Sequence, residues 1–419
     1  MKRRRRRRTN WVFAGVIASL VLIAVLYVLG GAAIKTPSTA FQFHELLLAR
    51  GIDCVVVIWL FCVGSAIGSF LNVVAWRMPR GKSINGFSHC PRCQERLAWH
   101  DNLPVFGWLA LRGRCRSCHL PISPRYPLVE LVVGLCITAI GLVELYGGLR
   151  NLPIAGGTIP RLRPLSMPIV TREMGGFWLY HTAAVTSLWG LGLIRFDAQR
   201  LPLRLVLFVF AVVIGGMLLW WPLAVVPWQL TDSAVRTPWS LLGVVMRMLT
   251  GLVAGTMIAR SLGRFVAPAA DLKLDPLGKE TARLVDLIAI MSIVGIVVGW
   301  QASLGVAVVA TLLAGWLAQR VSSRPLADRD GLAWLAVTIP VVVTLQIVFW
   351  RTLEAVPIWP SSHASPWTIV AAAMLLLILP MTLRTIPAES SAPREEDPED
   401  DPVDEDQEVD GEDRAAASA

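Results

Sequence analysis

The sequence predicts an all-α polytopic membrane protein of about ten transmembrane helices, with a cytoplasmic four-Cys loop of the zinc type between two of them. Three observations predict it. Hydrophobic residues make up 54% of the 419 and charged residues only 16%, too apolar a balance for a soluble domain of this length. The apolar residues gather into windows long enough to cross a hydrocarbon core of about 30 Å. Four cysteines recur as two C-x2-C pairs inside one basic loop.

The windows fall near 11–34, 52–75, 127–149, 177–194, 205–228, 239–259, 284–300, 302–319, 332–350 and 367–383. The first follows a run of six arginines, and Arg and Lys are retained on the cytoplasmic side, so the N-terminus is expected inside and each span reverses direction. The loop 76–126 then lies inside, and it carries nine basic residues against Glu95 and Asp101. Loops 195–204 and 260–283 also fall inside and lean basic, whereas 150–176 falls outside with four arginines. The first window is long for a signal peptide and ends without a clear A-x-A site, so it is expected to be an anchor. The arginine run invites a nucleic-acid reading. Beside a span, however, it is more simply a topology determinant that attracts anionic lipid.

After Pro387 the composition changes. Residues 385–419 hold fourteen acidic residues and two arginines, a net −12 within an overall +9. A block of that kind has too little apolar surface to fold and is expected to be a disordered cytoplasmic tail.

Cys54, Cys62 and Cys136 lie in apolar windows, where a thiol packs as a small hydrophobe. The remaining four, Cys90, Cys93, Cys115 and Cys118, form two C-x2-C pairs separated by 21 residues. Four thiolates closing on one ion suit structural Zn, and a reducing compartment disfavours disulfides. The set fills every position of a tetrahedral ion, which leaves none for substrate. His89 and His100 are therefore expected beside the site or in solvent.

The text around these cysteines resembles the N-terminal domain of the prepilin leader peptidases, membrane aspartic proteases of type IV pilus and type II secretion systems. The resemblance rests on "GSFLNVVAWRMP" (68–79), "CPRC" (90–93), "DNLPVFGWLALRGRCRSC" (101–118) and "PISPRYPLVELVVG" (121–134), in that order. It implies an aspartic endopeptidase of the cytoplasmic membrane that removes the short basic leader of prepilins or pseudopilins. Two aspartates near the cytoplasmic face would do this, one carboxyl protonated and the other activating water. Many family members also methylate the new N-terminus, so S-adenosylmethionine is a cofactor by resemblance only. The implied partners are prepilins or pseudopilins and the lipid bilayer, with no nucleic acid.

The catalytic motifs are altered. The family's first motif corresponds to "LIRFDAQRLPLRL" (193–205), and alignment on Leu201-Pro202 puts Arg195 at the catalytic aspartate, with Asp197 two residues later. The second motif, Gly-x-Gly-Asp opening a span that runs on to Gly-Trp-Gln, corresponds to the span ending in Gly299-Trp300-Gln301. Asp286 lies 13 residues before Gly299, and neither motif glycine is present. A rival is Asp271, in "APAADLKL" (267–274). The candidate catalytic residues are thus Asp197 and Asp286, with Asp271 the rival for the second. A guanidinium at Arg195 works against two carboxyls sharing a proton. The alternative is an inactive family member serving as a prepilin-binding or assembly scaffold.

The expected division is a basic N-terminus with the first anchor (1–51), a peptidase-like N-terminal region (52–134) containing the zinc-type loop 76–126, a peptidase-like bundle (135–320), additional spans (321–383) and the acidic tail (384–419). Both termini are expected in the cytoplasm.

Overall fold

A computed structural model describes residues 18–19, 21–35, 42–90, 92–153, 170–226, 240–320 and 329–383. The arginine run, most of the loop 150–176 and the acidic tail lie outside the described residues. Among the described residues every apolar window contains a helix. In chain order these are α1 (Val21–Ile34), α2 (Phe43–Arg77), α3 (Arg125–Gly141), α4 (Arg172–Phe196), α5 (Leu203–Leu219), α6 (Leu241–Val266), α7 (Lys279–Val298), α8 (Trp300–Arg320), α9 (Gly331–Val348) and α10 (Pro366–Ile378). Seven are long and apolar enough to cross a membrane, some with a short helical extension, and α1 and α5 are shorter apolar helices. Among the described residues there is no strand, only two isolated bridges inside the four-Cys loop.

Small residues set the tightest helix pairings, as they do where lipid removes the hydrophobic incentive between helices. On α6, a Cβ at Gly251 would collide with the Gly295 carbonyl of α7, and one at Gly255 with the carbonyl of Met291. Glycine there lets the two backbones touch. The α7–α8 corner needs glycine for a different reason: Gly299 has φ +91°, closed to a side chain without strain. Its direction change is held by Arg247 of α6, buried, which donates to the carbonyls of Ile296 (2.6 Å) and Val297 (3.1 Å).

Two domain boundaries expected from the sequence fall within continuous helices. Helix α2 begins nine residues before position 52 and runs through it, and α3 passes through 134/135. The segment expected to hold additional spans also enters the core: α9 is the most buried of the seven long spans and packs along α4 and α8. Its residues pack against helices on every side but the stripe Val337, Val341, Leu345 and Val348, a division that composition alone cannot show.

Candidate active site and metal centre

The four-Cys loop is built from two copies of one turn. In the first, the Gln94 N–H donates to the Cys90 carbonyl (3.0 Å) and the Cys90 N–H to Glu95 O (2.9 Å). In the second, 25 residues on, His119 donates to Cys115 O (3.1 Å) and Cys115 to Leu120 O (3.0 Å). Both turns close through a left-handed residue, Gln94 at φ +59° and His119 at φ +57°. The paired turns bring all four Sγ atoms within 4.8 Å of one another. The cross-turn pairs Cys90–Cys118 and Cys93–Cys115 stand 3.9 Å apart. A tetrahedron of thiolates at the usual Zn–S length has S···S edges of roughly 3.8 Å, so the donor set and its spacing fit one zinc ion. The Cys93 backbone N–H holds the Cys90 thiol down to about 7, which favours the thiolate a metal needs.

The loop is fastened to the bundle by residues the sequence reading did not single out. At the end of α2, Arg77 gathers the carbonyls of Asn85 (3.0 Å) and Phe87 (3.0 Å). On α3, buried Glu130 accepts the N–H of Val105 (2.7 Å), which starts the short helix Phe106–Ala110. Asp101 receives two hydrogen bonds from Arg116 (2.8 and 2.5 Å), and that guanidinium holds its carboxyl below the usual range. His100 lies beside Asp101, 3.6 Å away. Arg77, Asp101, Arg116 and Glu130 are in the quoted motifs, but their partners lie 8 to 25 positions away.

The helix ends of α3, α4, α7 and α9 meet at one end of the bundle, and both leading candidate aspartates lie there. Asp197 caps α4. Its carboxylate is held by both guanidinium nitrogens of Arg125, at the start of α3, one of them at 2.9 Å, and by Arg329 at 3.6 Å. Arg329 also donates to Phe196 O (2.7 Å), and both guanidiniums stand over the Phe196 ring. The partners of Asp197 are thus Arg125 and Arg329, 72 and 132 positions away.

Asp286 lies two turns inside α7, buried. Its Oδ2 accepts from Arg195 Nη1 (3.2 Å) and from the Leu201 N–H (3.4 Å). Positions 195 and 286 therefore face each other, and the group opposite Asp286 is a guanidinium. Among the described contacts no hydrogen bond joins Asp197 to Asp286. The rival Asp271 is in the α6–α7 loop, where its Oδ1 accepts the N–H groups of Lys273 (2.8 Å) and Leu274 (3.0 Å). Those two donors, Leu274 first, hold its carboxyl below the usual range. Among the described residues its hydrogen-bond partners all lie in its own loop and at Thr281.

Residues 62–143 match the bacterial peptidase A24 N-terminal domain. A "Prepilin leader peptidase/N-methyltransferase" of Myxococcus xanthus is 55% identical over 83 residues, 20% of this chain and 25% of that protein. One from Klebsiella pneumoniae is 44% identical over 108 residues, 24% of this chain and 46% of that protein. A "Type 4 prepilin-like proteins leader peptide-processing enzyme" of Escherichia coli is 35% identical over 173 residues, 36% of this chain and 61% of that protein. The chain thus spans a quarter to about three fifths of these curated relatives. No solved structure matches. The matched stretch is the one that builds the four-Cys loop and its two flanking helices, and it is there that this multi-pass membrane chain is similar to the prepilin leader peptidases.

Proposed function

We propose that this chain handles the basic leader of type IV prepilins or pseudopilins at the cytoplasmic membrane face, and that it binds the leader without cutting it. The carrying observation is the Arg195–Asp286 pair. An aspartic dyad works because two facing carboxyls share one proton, so one is an acid while the other activates water. Here the residue aligned with the first catalytic aspartate is an arginine. A guanidinium keeps its protons at every physiological pH and has no acceptor, so it takes no proton from water and faces Asp286 as a counter-charge, not as a second acid. Asp197 is similarly neutralised by Arg125 and Arg329.

The second reading is cleavage by Asp197 and Asp286. What favours it is the close match of the N-terminal region to named peptidases. In either case Cys90, Cys93, Cys115 and Cys118 hold structural zinc, which fixes the loop's fold. The protein is placed in the cytoplasmic membrane with both termini inside, as the arginine distribution indicates.

Co-expression with a prepilin that a family peptidase is known to process tests this. The expected result is that the precursor crosslinks to the chain and keeps its leader. Leader removal that is lost in Asp197→Ala or Asp286→Ala establishes the two-Asp reading instead, and absence of both crosslinking and removal overturns both. Mass measurement of any new N-terminus reports S-adenosylmethionine-dependent methylation in the same experiment.

A further inference from the structure

The outer surface of the four-Cys loop combines exposed rings with exposed cations. Trp99 is 79% exposed, and Phe87 and Phe106 are exposed as well. Phe87 carries the guanidinium of Arg96 over its face at 3.1 Å. Where α2 leaves the bundle, Trp76 is exposed and flanked by Arg80 and Lys82, 5.2 and 4.8 Å from its ring. Aromatic rings beside cations are the arrangement that sits at the boundary between hydrocarbon and headgroups. The loop's two ends continue into membrane-spanning α2 and α3, so this surface cannot leave the neighbourhood of the bilayer.

We propose that this rim, centred on Phe87, Trp99 and Arg96 and continuous with Trp76, docks on anionic phospholipid headgroups of the leaflet from which α2 and α3 emerge. Charge selects this occupant. The loop holds nine basic residues and two acidic ones, and one of those, Asp101, is bound by Arg116. A surface of that sign attracts anionic lipid and repels a basic leader peptide. The loop's zinc-type turns would then give a rigid platform, with the rings entering the headgroup layer and the guanidiniums contacting phosphates. The docking does not depend on whether the chain cuts or only binds leaders.

The test is hydrogen exchange on the zinc-loaded full chain in nanodiscs of phosphatidylcholine alone or mixed with phosphatidylglycerol. The expected result is several-fold slower exchange over 95–106 with phosphatidylglycerol, reversed by high salt. Trp99→Ser and Arg96→Gln should lose this slowing while the amides of Cys90 and Cys115 stay protected, which shows the loop still folded. Equal exchange in the two lipids overturns the proposal. So does slowing that appears only when a leader peptide is added, which assigns the surface to the peptide.

Discussion

The guanidinium of Arg195 lies 3.2 Å from the carboxylate of Asp286, both buried, across the interface of α4 and α7. The two positions that the motif alignment sets against a leader peptidase's acids are in contact, and their chemistry is that of an ion pair. Breaking a buried pair by removing one charge costs about 3–5 kcal/mol, so Arg195→Ala is expected to lower the melting temperature markedly. Arg195→Asp puts a second carboxyl opposite Asp286, and the pair can then share a proton. We expect this variant, expressed with a prepilin, to gain leader removal that Asp286→Asn abolishes. Immunoblotting of precursor and mature forms reads the outcome; an inactive but stably folded Arg195→Asp would show that more than this residue separates the chain from its relatives.

Asp197 ties α4 to the start of α3 through Arg125 and to the segment just before α9 through Arg329. Hydrogen bonds to a charged group contribute about 2 kcal/mol. Asp197→Asn is expected to destabilise the chain by about that much, with leader crosslinking retained. Thermal denaturation in detergent checks the first part and crosslinking the second.

Zinc should co-purify in equimolar amount and be measurable by elemental analysis. Cys90→Ser or Cys115→Ser is expected to lose it and to expose the loop 84–122 to limited proteolysis, since structural zinc supplies the folding free energy of loops too small for a core of their own. Ligation needs thiolates. Zinc is therefore expected to be held at neutral pH and released as protons compete for the four sulfurs at lower pH. A zinc content that does not fall on acidification would contradict four-thiolate ligation.

Asp271 separates the two versions of the second catalytic position. Its native value is depressed by the Leu274 and Lys273 N–H groups. Its stabilisation of the turn is therefore present above the ordinary aspartate range and disappears only as pH falls below it. At neutral pH it stays ionised. Asp271→Ala is expected to leave leader crosslinking unchanged, and to leave unchanged any cleavage gained by Arg195→Asp. Loss of that cleavage would make Asp271 the second acid.

Hydrophobic length and the cysteine spacing determined much of this protein. Among the described residues each apolar window holds a helix, seven of them long and apolar enough to span, because an apolar segment must satisfy its backbone groups internally wherever water is absent. Cys90, Cys93, Cys115 and Cys118 were legible as one centre because each C-x2-C closes a local turn that needs no distant partner. The quoted motifs identified the family for the same reason, since they lie in one contiguous stretch.

Only the tertiary structure decided what the acids do. Asp286 is paired with Arg195 across 91 positions, Asp197 with Arg125 across 72, and Glu130 caps a helix that begins 25 positions earlier. Such partners are set by which helix ends share a face, and hydropathy is nearly blind to that because every span is apolar on all sides. The physical reason is that a span's existence depends on its own residues, whereas the charge state of a carboxyl buried between spans depends on whatever neighbouring helices bring to it.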